Sequence, residues 1–158
     1  IGVRLVGSEM CIRDRREIVV VSGGFDPIHS GHIKLIKEAA KHGEVVVLLN
    51  SDLWLQKKKG KEFLPFIERT IIMNELKNVI DVIEFDDEDK TCIDGLKKVK
   101  NKYPKSIIKF ANGGDRNNST TPETIFCEEN NIQLLWGIGG DNKSNSSSWI
   151  LQKWKEDN

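Results

Sequence analysis

Short apolar runs alternate with amphipathic segments along the whole chain. EIVVVS (17–22), EVVVLLN (44–50) and SIIKFAN (106–112) are continuous β-branched or aliphatic runs of strand length. DVIEF (81–85) and IQLLWGI (132–138) are of the same kind. Between them lie segments whose apolar positions recur at helical spacing. IKLIKEAAKH predicts a helix from Ser30 to about His42, with Gly43 as its stop. PFIERTIIMNELKNV (65–79) predicts another with proline near its start, and TCIDGLKKVKNKY (91–103) a third. TPETIFCEENN (121–131) and SSSWILQKWKE (146–156) complete the set, the latter with serines available as caps. SDLWLQKKKGKEFLP (51–65) reads as a polar, lysine-rich loop, and DDED (86–89) as a solvated loop before a helix.

Five buried strands alternating with helices predict an α/β fold. The expected form is a Rossmann-like three-layer α/β/α sandwich around a five-stranded parallel sheet. Such sheets bind ligands beyond the C-terminal ends of their strands, at the switch point in strand order. The polar loops GGFDPIHSGH, SDLWLQKKKG, GGDR and KSNSSS each follow a predicted strand, so all four are expected at one edge.

Composition narrows the reading only modestly. At 158 residues and 38% hydrophobic, the chain has room for one domain with a real core. Twenty-four basic residues balance 24 acidic ones. That neutrality gives no argument for a nucleic-acid or membrane partner. No apolar stretch reaches membrane-span length. EMCIRDR (9–15) resembles the translated end of a sequencing adapter, so residues 1–15 are expected to be non-native or disordered and 16–158 to be the domain. Cys11 falls in that opening, while Cys92 and Cys127 lack metal-ligand or disulfide spacing and fit a reducing cytoplasm.

The chemistry concentrates in GGFDPIHSGHIKLI (23–36), which holds two of the chain's three histidines. Gly23 and Gly24 would let the backbone turn after the strand and approach a ligand closely. The helix starting near Ser30 would present unpaired N–H groups and the positive end of its dipole, a setting suited to phosphate. His29 and His32 could be capping residues, metal ligands or phosphate contacts. No third ligand stands at helpful spacing, and GxxxxGK[ST] is absent.

GGFDPIHSGH resembles the GxFDxxHxGH signature of the cytidylyltransferase-like nucleotidyltransferases, in particular glycerol-3-phosphate cytidylyltransferases and heptose-1-phosphate adenylyltransferase domains. NSD with KKKG, LPFIERTIIMNEL, NGGD and SSSWI resemble that family's later motifs in the same order. The resemblance implies transfer of a nucleoside monophosphate from CTP or ATP to a small phosphorylated sugar or polyol, with pyrophosphate released. A coenzyme-precursor adenylyltransferase or a non-catalytic nucleotide-binding module are the alternatives.

It further implies roles for individual residues. His29 and His32 would supply charge at the α- and β-phosphates, with Phe25 and Asp26 in the same nucleotide loop. Lys59 and Lys57 would bridge acceptor and α-phosphate, with Lys58 able to replace either, and Arg69 would add positive charge. Gly113, Gly114 and Asp115 would hold base and ribose, while Ser146, Ser147 and Ser148 would receive the β- and γ-phosphates. Mg²⁺ is expected as the triphosphate's counterion, without a protein-only metal site. A homodimer is a family expectation. The aromatic that relatives often carry after GGD is replaced by Arg116, and the arginine some carry before the serines is absent.

Overall fold

A computed structural model describes residues 16–113, 120–139 and 147–157. The expected boundary between residues 15 and 16 therefore has its first side outside the described residues. The chain runs β1 (Glu17–Gly23), α1 (Ser30–Ala39), β2 (Glu44–Leu49), α2 (Asp52–Lys59), α3 (Phe66–Asn74) and β3 (Val79–Glu84). It continues through α4 (Ile93–Lys102), β4 (Ile107–Gly113), α5 (Pro122–Glu129), β5 (Gln133–Ile138) and α6 (Ser147–Asp157). The strands form one parallel sheet in the order β3-β2-β1-β4-β5.

Strand alternation builds the two cores. Ile18, Val20, Val46, Leu48, Ile108 and Phe110 face one side and pack with Leu96 and Val99 of α4 and Cys127 of α5. Val19, Val21, Val45, Val47 and Leu49 face the other and pack with Ile36 and Ala39 of α1 and Met73 of α3. Helices on both faces of one sheet give the expected three layers. Each fully buried aliphatic side chain contributes about 1.5–3 kcal/mol relative to exposure, so the central strands anchor everything attached to their ends.

Local departures have identifiable causes. Helix α1 ends at Ala39 rather than near His42, and Gly43 belongs to the entry into β2. A Cβ on Gly43 would lie 2.4 Å from the Glu17 carbonyl oxygen, so close strand approach requires glycine there. The lysine-rich stretch read as a loop contains α2, started by the Ser51 side chain accepting from the Trp54 amide. The DDED loop is not wholly solvated, because Asp87 is buried. Its carboxylate accepts from Asn50 Nδ2 (3.1 Å), the Ser51 amide (2.8 Å) and Ser51 Oγ (2.8 Å), fixing the start of α2 to the end of β3. Cys92 and Cys127, separate in sequence, join one core cluster as free thiols, and burial pushes both up to about 12. Trp149 and Trp154 of α6 are exposed.

No helix among the described residues is long and apolar enough to cross a membrane. Strand order reverses between β1 and β4, which places the binding crevice of such a sheet beyond Gly23 and Gly113.

Candidate active site

After β1 the chain makes a tight loop through residues 24–29. Phe25 takes a left-handed backbone (φ 49°), and Asp26–Pro27 is a cis peptide. The glycines there make room for the protein itself. A Cβ on Gly24 would fall 2.7 Å from Leu55 of α2, and one on Gly23 would fall 3.3 Å from the Phe25 ring. Phe25 is buried and presents its ring to His32 in an edge contact at 4.8 Å. It supports the histidine from beneath, where the sequence reading placed it among nucleotide contacts.

His29 and His32 cap α1 reciprocally. The Gly31 amide donates to His29 Nδ1 at 3.0 Å, and the His29 amide donates to His32 Nδ1 at 3.2 Å. The rings stack at 3.8 Å between centroids. With each Nδ1 accepting, a neutral imidazole must carry its proton on Nε2. Burial lowers His29, and burial followed by the charges of His29 and Lys58 lowers His32 to about 3. Both histidines are thus neutral donors near pH 7 in the free protein. In the free protein, where they were expected to supply charge, they offer preorganised N–H groups beside a helix N-terminus.

This lowering has a stability consequence. The unfolded chain binds a proton at His32 below about 6.5, whereas the folded chain resists it until about pH 3. Stability is therefore full above pH 6.5 and falls as pH drops through that window. Thermal melts from pH 7 to 4 should show a steeper decline for the wild type than for His32→Gln. Parallel profiles would contradict the assignment.

Helix α2 sorts the lysines. Lys59, at its end, donates to the Asp26 carbonyl at 2.6 Å and pairs with Asp26 Oδ2 at 2.9 Å. Lys58 lies over the Trp54 ring at 4.9 Å, and its charge reaches His32. Lys57 is exposed, and successive 100° steps turn it away from the face carrying Leu55 and Lys59. The spare member of the trio, Lys58, thus acts on His32 by its charge, Lys59 is held at the histidine loop by Asp26, and Lys57 is turned away.

Asp26 and Arg69 also depart from expectation. The Asp26 carboxylate is fully buried and accepts from the Phe63 amide (2.6 Å) and the Leu64 amide (2.7 Å). Arg69 is 1% exposed. Its Nε donates to the Leu64 carbonyl, and one terminal nitrogen donates to the Gly24 and Asn50 carbonyls, all within 2.9 Å. The other reaches Asp52 Oδ1 at 2.6 Å. Arg69 is neither a surface pair nor a loose cation; it clamps the ends of β1 and β2 to α2 and the loop before α3.

This loop-and-helix arrangement has known relatives. The family model described as cytidylyltransferase-like matches residues 20–145. The chain belongs to that family. It is 29% identical over 151 residues to the bifunctional protein HldE of Geobacter metallireducens, covering 90% of this chain and 28% of that protein. It is 30% identical over 147 residues to HldE of Aliarcobacter butzleri, covering 90% and 29%. The chain thus spans under a third of the length of the curated relatives it matches. Among solved structures, a lipopolysaccharide core biosynthesis protein from Thermoplasma volcanium superposes with a TM-score of 0.59 at 22% identity, covering 77% of this chain and 94% of that one. A putative nicotinate-nucleotide adenylyltransferase from Vibrio parahaemolyticus gives 0.55 at 19% identity, covering 90% and 88%. These likenesses carry the fold.

In this cytidylyltransferase-like domain the remaining expected residues divide. Gly113 ends β4 at the crevice, whereas Gly114, Asp115 and Ser146 lie outside the described residues. Ser147 opens α6, and its hydroxyl donates to the Pro27 carbonyl at 2.8 Å, tying the last helix to the histidine loop. Ser148 follows it and is exposed. Asn50, Asp52 and Asp87 also shape the site, yet the sequence reading took Asn50 and Asp52 only as letters of the NSD motif and gave Asp87 no role there. Ser51-Asp52 after an apolar strand signals a helix cap, but nothing local signals a partner 17 residues later at Arg69. Among the described residues no group of three His, Cys, Asp or Glu side chains is placed to hold a metal ion.

Proposed function

We propose that this domain transfers a nucleoside monophosphate from CTP or ATP to the phosphate of a small sugar or polyol phosphate. The observation that carries the reading is the stacked, reciprocally capped pair His29–His32 at the N-terminus of α1 in a cytidylyltransferase-like domain. An acceptor phosphate oxygen attacks the α-phosphorus, the bond from that phosphorus to the β-phosphate's bridging oxygen breaks, and pyrophosphate leaves. The phosphoryl group gains negative charge at its equatorial oxygens as this happens. The two Nε2–H donors, the first-turn amides of α1 and the ammonium groups of Lys58 and Lys59 are suited to receive that charge.

The remaining assignments follow the same reading. Asp115 with Gly113 and Gly114 holds base and ribose, and Ser146, Ser147 and Ser148 take the outer phosphates. The triphosphate enters as its magnesium complex, so the ion belongs to the substrate. A sugar phosphate is favoured as acceptor because the chain is similar to HldE proteins and superposes on a lipopolysaccharide core biosynthesis protein. The nicotinate-nucleotide adenylyltransferase likeness keeps a coenzyme precursor as the second reading.

The test is a pyrophosphate-release screen crossing CTP and ATP with glycerol, heptose, choline and ethanolamine phosphates and nicotinate mononucleotide. Release with one sugar or polyol phosphate is expected. Release with the mononucleotide alone supports the second reading. Triphosphate binding without release from any acceptor contradicts catalysis on this panel.

A further inference from the structure

Asp26 joins two parts of the site that stand 33 residues apart in the chain. We propose that it is a positioning residue: it parks the Lys59 ammonium beside the histidine loop and releases it to phosphate when the triphosphate binds. The proposal deepens the transfer reading and rests on it.

Three observations support this role. First, the Asp26 side chain is 0% exposed while that of Lys59 is 22% exposed, so the carboxylate is sealed but the ammonium remains reachable. Second, the carboxylate holds two backbone amides besides the lysine, at 2.6 and 2.7 Å. Those amides keep the buried charge hydrogen-bonded after the lysine departs, which removes much of the penalty for opening the pair. Third, Lys59 is the last residue of α2, and its neighbour Gly60 (φ 92°) has no atom within 4 Å of a hypothetical Cβ. The helix end thus leaves space around the chain that carries the lysine.

A triphosphate offers the Lys59 ammonium several anionic oxygens where Asp26 offers one carboxylate. The value of Asp26 is placement: Lys59 begins close to the phosphate site and loses little freedom on engaging it. Asp26 acts through Lys59 and does not itself meet the substrate.

The experiment compares wild type, Asp26→Asn, Lys59→Met and the double variant in steady-state pyrophosphate release. Asp26→Asn is expected to lower kcat about 10–100-fold while KM for the triphosphate changes less than about threefold. In the Lys59→Met background the same change should cost less than about threefold, because the two residues act as a unit. Equal factors in both backgrounds, or a raised KM with kcat unchanged, would overturn the proposal.

A second readout does not depend on turnover. Amine acylation followed by peptide mass spectrometry should modify Lys59 at least about tenfold more slowly than Lys57 in the wild type. Asp26→Asn keeps the 2.6 Å bond from Lys59 to the residue-26 carbonyl but removes the ion pair, so Lys59 labelling should rise above the wild-type rate, and CTP or ATP should lower it again. Equal labelling of Lys57 and Lys59 in the wild type overturns the proposal even if Asp26→Asn does not fold. A wild type that shows the protection but releases no pyrophosphate defeats the transfer reading and leaves the Asp26–Lys59 pairing standing.

Discussion

His32→Gln is expected to keep the fold and lose about 10²–10³-fold in turnover, the usual cost of removing one preorganised donor to a developing oxyanion. Glutamine is chosen because it retains what His32 does for the helix. A glutamine three residues after the cap can still accept from the His29 amide, as His32 Nδ1 does at 3.2 Å. It cannot place a second N–H at the outer end of a rigid ring stacked on His29. His32→Ala would lose cap and donor together, adding about 0.5–2 kcal/mol of destabilisation to the catalytic defect. Turnover near the wild-type rate in His32→Gln would contradict the donor role.

The largest stability effect is expected at Arg69. Arg69→Met keeps most of the side-chain volume but strands the Leu64, Gly24 and Asn50 carbonyls and the Asp52 carboxylate. Asp52 is 34% exposed and can rehydrate, so most of the cost comes from the carbonyls. Urea unfolding should show a loss of about 3 kcal/mol or more. Arg69→Lys should recover only a fraction, because one ammonium cannot reproduce a planar fork with four acceptors around it. A loss below about 1 kcal/mol would show that the clamp contributes little.

The sequence made the architecture legible because alternating buried strands and amphipathic helices have distinct periods. GGFDPIHSGH was legible for a related reason: a strand end, a turn and a helix start lie within ten residues, so local rules cover them. What escaped depends on distance along the chain. Lys57 and Lys59 are equivalent as letters, and only the helix formed by 52–59 turns one toward Asp26 and the other to solvent. Arg69 sits on an amphipathic helix where a surface pair is the ordinary outcome, and its acceptors come from β1, β2 and α2. The protonation of the free histidines was not legible because burial, which the sequence does not display, lowers both imidazoles.

Once the screen identifies an active pair, the most direct test labels the acceptor's phosphate oxygens with ¹⁸O and follows the products by phosphorus NMR and mass spectrometry. Attack by the acceptor phosphate on the α-phosphorus predicts ¹⁸O in the bridge of the nucleoside-diphosphate-linked product and unlabelled pyrophosphate. Label in the pyrophosphate, or free nucleoside monophosphate with no linked product, would contradict it.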